Sequence, residues 1–296
     1  MTEFAIEAVG LRKSFKGEEA LTGLDLAVPQ GSIFGFLGRN GAGKTTTIRI
    51  LMGLAKADQG SARVFGVTPG DGDSGAAIRR RIGFVTEDKE LYPYMTVAEV
   101  IRFTRPFFPK WRDDLERRYL KAFDLPANKK IPNLSKGMRS KLMLLLAVSR
   151  GAELLVLDEP TDGLDPAAVE EVLRELIALS ASDGTTIFFS SHHLAEVEQI
   201  AAEIVIIDKG RAVVSGVMED LKQKYQRISV VFADGVRDVR WVDGAEHIRQ
   251  EGRMVSILAG RNIEGIMAQA RALPRTTVER HSVTLKELFL DHVRTN

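Results

Sequence analysis

Residues 154–166 read LLVLDEPTDGLDP, an apolar run that ends in four carboxylates, Asp158, Glu159, Asp162 and Asp165. Acids at the end of a core strand call for a compensating cation or a proton-transfer task. A second stretch, GFLGRNGAGKTTT, sets Gly38, Gly43, Lys44 and Thr45 at the spacing of a phosphate-binding loop between a strand and a helix. Glycines reach backbone angles closed to other residues, so successive N–H groups can curl round phosphate oxygens while the helix N-terminus adds partial positive charge. The run Gly38, Arg39, Asn40, Gly41, Ala42, Gly43, Lys44, Thr45 and Thr46 is the candidate nucleotide cradle. Lys44 is expected to reach the β- and γ-phosphates and Thr45 to ligate Mg²⁺. A Mg²⁺-nucleotide then gives the acids separate tasks: Asp158 holds the Mg²⁺ shell, and Glu159 polarises water for attack on the γ-phosphate. Asp162 and Asp165 have a second reading as the start of the next helix, where Asp meets the helix dipole favourably.

These residues need a scaffold that brings strand ends together. Strands are expected at 32–37, 82–85, 154–157, 186–189 and 204–207, and helices at 45–54, 136–150 and 167–180, an alternation that predicts a mainly parallel sheet covered by helices. The earlier segments FAIEAVGLRKSF and ALTGLDLAVPQG alternate as antiparallel strands and predict a small sheet beside that core. Residues 92–125, broken by Pro93, Pro106 and Pro109 and patterned as helices at 97–104 and 113–123, predict a helical insertion, so that a helical subdomain covers about residues 92–150. From about residue 222 the character changes to short strands at 228–235 and 253–260 and helices near 263–273 and 285–293, with no chemical motif. The expected division is a larger α/β unit over 1–221 and an α+β accessory domain over 222–296.

Composition narrows the function class. A 296-residue chain with 44% hydrophobic residues can bury a sizeable core. Its formal net charge of +1 supplies no bulk attraction for nucleic acid, and no nucleic-acid partner is expected. Cysteine is absent, which removes disulfides and thiolate metal sites and suits a reducing cytosol. The start lacks a basic region followed by an apolar stretch, and the longest apolar runs, such as 142–148, fall short of the roughly 20 residues of a spanning helix. The chain itself is not expected to cross a membrane.

Several separated motifs now stand in one order: GRNGAGKTT, IGFVTE ending at Glu87, LSKGM at 134–138, LLVLDEP, DGLD ending at Asp165 and SSHH at 190–193. In this order the sequence resembles the ATP-binding cassette (ABC) family over about residues 3–221. The resemblance implies a P-loop NTPase core with an antiparallel β subdomain and a helical subdomain, the small C-terminal α+β domain lying outside it. It implies ATP and Mg²⁺ as cofactors. It also implies two cassettes paired head to tail, each phosphate loop facing the partner's LSKGM, with Asp165 at the seam and Glu87 beside the metal. His192 aligns with the family's switch residue, expected to hydrogen-bond the γ-phosphate, while His193 is expected to face away because neighbours at a strand end alternate. Phe15 occupies the position where the family stacks an aromatic ring on adenine; an ordinary core phenylalanine is the alternative. Ser135, Lys136 and Gly137 open a helix whose N-terminus is an anion site. Lys136 stands where the family has glycine, and its ammonium either approaches the partner's γ-phosphate or is a solvated surface charge. Glu87 replaces the family's common glutamine, and an exposed loop acid is its other reading. Phe107, Phe108 and Trp111 either fill the helical subdomain or line the groove for a permease helix.

The function this implies is the ATPase subunit of a transporter, peripheral at the cytoplasmic face of the cell membrane, that drives a separate integral membrane permease; the whole chain most resembles bacterial exporters of this arrangement. A soluble ABC ATPase acting on nucleic acid or ribosomes is the alternative. DNA-repair relatives insert a long coiled coil between phosphate loop and signature, and Thr45 and Leu134 lie too close in sequence for one. A GTPase would read its base with Asn-Lys-x-Asp, whereas Asn128 and Lys129 are followed by Lys130 and Ile131.

Overall fold

The structure, a computed structural model, describes residues 3–70, 72–86, 91–236 and 239–293. Alternating apolar residues make β1 (Phe4–Phe15) and β2 (Glu18–Pro29) an antiparallel pair that buries Ile6, Leu11, Leu24 and Leu26. β3 (Ile33–Gly38), buried throughout, leads through the glycine-rich loop into α1 (Lys44–Leu51). β4 (Gln59–Val64) returns to pair with β1, giving a three-stranded sheet of order β2-β1-β4. Next come α2 (Gly72–Arg81) and β5 (Ile82–Val85). The expected helical insertion supplies α3 (Val97–Thr104), α4 (Asp113–Ala122) and α5 (Lys136–Ser149). A reciprocal Thr96–Glu99 capping box starts α3, satisfying N–H groups that would otherwise lack partners.

β6 (Leu154–Asp158), α6 (Pro166–Asp183), β7 (Thr186–Ser191), α7 (Leu194–Ile200), β8 (Glu203–Asp208) and β9 (Arg211–Val217) complete a six-stranded sheet of order β5-β6-β7-β3-β8-β9. The pairs from β5 to β8 are all parallel. Strands buried on both faces read as continuous apolar runs, as LLVLD does. The two sheets share a core in which Phe188 of β7 packs against Phe34 and Phe36 of β3, with ring centroids 6.0 and 5.1 Å apart, together with Ile6, Leu24 and Ile48. Because β6, β7 and β3 are parallel neighbours, their C-terminal ends open on one crevice, where ligands of such sheets bind.

The chain divides into compact units at residues 1–215 and 216–296. The second unit contains α8 (Met218–Lys224), β10 (Gln226–Phe232), β11 (Ala245–Glu251), β12 (Met254–Ala259), α9 (Ile263–Ala272), β13 (Thr276–Ser282) and α10 (Leu285–His292). Its antiparallel sheet, order β11-β12-β10-β13, buries Ile228, Val230, Phe232 and Ile257 together with Ile266 of α9. The carboxylate of Asp291 on α10, fully buried, pairs with Arg227 and Arg249 of the sheet, so its charge is compensated. Among the described residues no helix is long and apolar enough to cross a membrane.

Candidate nucleotide site

The loop between β3 and α1 is held in shape by two glycines that nothing larger replaces. A Cβ at Gly38 would meet Ile207 at 2.8 Å, and one at Gly43, where φ is +108°, would meet the Ala20 carbonyl at 2.6 Å. Gly43 is also the N-cap of α1 and has no side chain to bond the first turn, so those N–H groups point outward unclaimed by a cap. The turn is braced by Ala42 N–H donating to the Arg39 carbonyl (3.1 Å) and Gly210 N–H donating to the Ala42 carbonyl (3.1 Å). Arg39, Asn40 and Gly41 form the exposed tip, and Thr45 and Thr46 are accessible at the helix start. Lys44 is buried, its Nζ donating to the Gly38 carbonyl (2.7 Å), which places the cation inside the loop that it is expected to serve.

The carboxylates occupy the end of β6, one strand removed from the loop. Asp158 is buried and accepts from Ser190 Oγ on β7 (2.5 Å). Burial pushes its carboxyl above the usual carboxylate range and the Glu159 charge adds to the rise, while the Ser190 hydroxyl, Lys44 and Arg49 pull it back. Glu159 sits at φ +48°, a left-handed conformation that costs a non-glycine residue roughly 1–3 kcal/mol. Its N–H donates to both Oγ and the carbonyl of Ser190 (3.2 Å each), fixing that strained turn. The same Glu159 Oε2 then accepts from the His192 N–H (3.2 Å) and from His192 Nδ1 (2.8 Å). A carboxylate only accepts, so Nδ1 carries the proton in this contact. Among the described residues no cluster of three His, Asp or Glu side chains forms a metal cage. Asp158 and the Thr45 hydroxyl are hard oxygen donors of the kind Mg²⁺ takes, one or two from protein and the rest from phosphate and water.

The remaining expected residues are placed as follows. Phe15, 46% exposed, ends β1 with Lys13 Nζ 5.3 Å from its ring centroid, so it is not a core residue. Ser135 caps α5, its Oγ accepting from the Met138 N–H (3.1 Å), and Gly137 follows in the first turn. Asp165 caps α6, its Oδ1 accepting from the Ala168 N–H (3.0 Å) ahead of Pro166, so the helix-start reading describes its side chain. Lys136 pairs with Asp162 at 2.7 Å. Glu87 lies outside the described residues. His193 corrects an expectation: its ring lies 3.9 Å from that of His192, not on an opposite face, because β7 ends at Ser191 and strand alternation no longer applies beyond it. Two residues were missed. Ser190 organises Asp158 and Glu159, and Glu196 on α7 accepts from the buried Thr161 Oγ (2.6 Å), tying the 159–165 loop to the segment after His192. A hydroxyl two positions before His192 on a neighbouring strand was the signal available for Ser190.

A buried lysine inside a glycine-cornered loop can neutralise phosphates only if their oxygens enter that loop, and a glutamate one strand away can then work only on water beside them. These constraints fit a P-loop nucleoside triphosphate hydrolase. Comparison with known proteins carries this further. Residues 21–162 match the ABC transporter family. The chain is 35% identical over 244 residues to the uncharacterized ABC transporter ATP-binding protein YhaQ of Bacillus subtilis, covering 80% of this chain and 79% of that one. It is 34% identical over 224 residues to the bacitracin transport ATP-binding protein BcrA of Bacillus licheniformis, covering 75% and 72%. A solved structure of an ATP-binding subunit of an ABC transporter superposes with a TM-score of 0.68 at 28% identity, covering 74% of this chain and 92% of that one. The chain belongs to the ABC transporter family, as an ATP-binding and ATP-hydrolysing subunit. The nucleic-acid or ribosome alternative is set aside, because these relatives are transporter proteins.

Proposed function

We propose that the chain is the ATPase of an exporter with a separate permease, working at the cytoplasmic face of the membrane as a head-to-tail pair that closes on two ATP·Mg²⁺. The observation that carries the chemistry is the Glu159–His192 contact beside the phosphate loop. Residues 38–46 bind the phosphates through N–H groups and Lys44; Thr45 and Asp158 hold Mg²⁺, which when bound screens phosphate charge. Glu87 is proposed to stand beside that metal. Glu159 accepts a proton from the attacking water. His192 orients Glu159 through Nδ1, and donating to the γ-phosphate from Nε2 at the same time requires the doubly protonated ring. Phe15 offers an accessible ring for the adenine.

For the pair, the start of α5 (Ser135, Lys136, Gly137) packs on the loop that ends at Asp165, so the two form one surface to meet a second copy's nucleotide. The bacitracin transport relative supports the exporter reading. For the permease, the helical insertion exposes a chain of touching rings: Tyr92 packs on Tyr94 (5.8 Å) and Phe103 (5.3 Å), and Phe103 on Phe107 (5.5 Å). Tyr94 and Phe107 are 68% and 60% exposed. Contiguous exposed aromatics of this kind fit a partner helix. Phe108, by contrast, stacks under Arg150 (4.0 Å), and Trp111 donates to Glu116 (2.7 Å). ATP closes the pair and drives the permease; hydrolysis resets it. Residues 222–296, which carry no chemical motif, are assigned to modulating pairing or coupling. The test is retention on membranes. The full tagged chain should copurify with an integral membrane protein, and Tyr94→Glu with Phe107→Glu should release it while ATP affinity stays within about two-fold, as for surface changes. Full retention of the doubly charged variant would remove this patch from the interface.

A further inference from the structure

Lys136 opens α5 at the face assigned to a second copy's nucleotide, yet its ammonium is already engaged. Nζ donates to Asp162 Oδ2 at 2.7 Å. The aliphatic stem lies flat on Gly163: a Cβ there would fall 2.5–3.0 Å from Cγ, Cδ and Cε of Lys136, so only glycine, here at φ +81°, admits it. Two further contacts hold the same elements together. Ser140 Oγ lies 3.4 Å from the Asp162 carbonyl, and a Cβ on Gly137 would touch Leu164 at 3.1 Å and the Gly163 carbonyl at 3.3 Å. The loop that carries Glu159 at one end and Asp165 at the other is therefore seated on the first turn of α5.

Both charges are partly exposed, at 62% and 32% of the side chain, and pairs of this kind add little to fold stability. Their effect is on position and on field. Opposite charges this close form a dipole, whose attraction for a phosphate falls off faster than that of a lone ammonium. We propose that Lys136 and Asp162 act as one neutral clamp that seats the 159–165 loop on α5 and sets how strongly this face takes up the γ-phosphate of ATP held by a second copy. Its second half rests on the paired-cassette reading given above. Lys136 and Asp162 are thus positioning residues, and each single variant removes one charge of the pair. Lys136→Ala takes one positive charge from this face, Asp162→Asn takes one negative charge, and the double variant leaves its net charge as in the parent.

Two measurements on the full chain test this. Hydrogen exchange of peptides spanning 159–165, without nucleotide, should speed up roughly two- to five-fold in Lys136→Ala and in Asp162→Asn, while Lys136→Arg stays near the parent. Unchanged exchange in both single variants overturns the clamp. In a Glu159→Gln background, ATP-driven dimerisation followed by light scattering should weaken roughly two- to five-fold in Lys136→Ala, strengthen in Asp162→Asn and return close to the parent in the double variant, with all differences shrinking as salt rises. If Asp162→Asn changes nothing and the double variant dimerises as poorly as Lys136→Ala, Lys136 is a direct phosphate ligand and the proposal is wrong. A Glu159→Gln parent that stays monomeric with ATP refutes the paired reading instead, and the exchange result alone then decides the clamp.

Discussion

Replacing Glu159 by Gln separates binding from chemistry, because both contacts to His192 end on the same oxygen. Oε2 accepts from the His192 N–H at 3.2 Å and from Nδ1 at 2.8 Å, so a glutamine that sets its amide oxygen at that position keeps both bonds. Its size and the φ of +48° are unchanged, and no new strain enters. What disappears is the basic lone pair that takes the proton from water. A positioned general base contributes about 10²–10⁴ in rate, or about 3–5 kcal/mol of barrier. Steady-state phosphate release by purified Glu159→Gln should therefore fall by about 10²–10⁴, while ATP affinity from calorimetry stays within about three-fold, since the ground state loses no contact. The thermal midpoint should hold as well. Wild-type turnover would show that another group takes the proton. A collapse of ATP affinity together with turnover would show that Glu159 is a structural acid of the loop.

Lys44→Ala removes a buried ammonium from the phosphate loop, and losing a charge-assisted hydrogen bond of about 1.5–3 kcal/mol should weaken ATP binding by about 10- to 150-fold in calorimetry; a change below about three-fold would exclude Lys44 as a phosphate ligand. Asp158 must be ionised to hold a cation, and burial already raises its pKa, so Mg²⁺-dependent ATP binding should fail on acidification at a higher pH than an ordinary aspartate would cause. Ser190→Ala deletes the hydrogen bond that favours the ionised form, which raises the pKa further and moves that loss to still higher pH. Its folding signature has a definite sign: a carboxyl with a raised folded pKa lowers stability as pH rises through that pKa, so the deficit of Ser190→Ala should be largest at neutral pH and shrink on acidification in urea titrations. A deficit that is constant with pH would detach Ser190 from the ionisation of Asp158.

What the sequence made legible follows from where the physics is local. The P-loop glycines recur at a fixed spacing between a strand and a helix, so spacing located them, although the atoms that exclude a Cβ there, Ile207 at Gly38 and the Ala20 carbonyl at Gly43, come from distant parts of the chain. Strands β3, β6 and β7 are buried on both faces and stand out as apolar runs, and helix α3 announced itself by Val97, Val100 and Ile101 on one face. Strands β4, β9, β11 and β13 were not expected, and for three of them the pattern is set by their neighbours. β11 and β13 are the edges of their sheet, and AEHIRQE and TTVERHS carry the charges that edges tolerate; β4, QGSARV, is a weak strand former held by pairing with β1. The same division runs through the site. Residue types and order placed Asp158, Glu159 and His192 on one task, but which atoms meet depends on β7 lying between β6 and β3, a fact of strand order that no local pattern contains. Phe103 belongs to this second class: it departs from the buried stripe of α3, and only the fold shows that Tyr92 and Phe107 join it in one exposed row. Lys136 is the sharpest instance. Read along the chain it is a lone cation at a helix start; read in space it is half of a pair whose other half, Asp162, sits in a loop reached only after strand β6 has crossed the sheet. A charge at a ligand-facing helix start must therefore be weighed together with the carboxylates that the fold brings to it, because a partner at 2.7 Å decides whether that charge pulls on a phosphate or holds a loop.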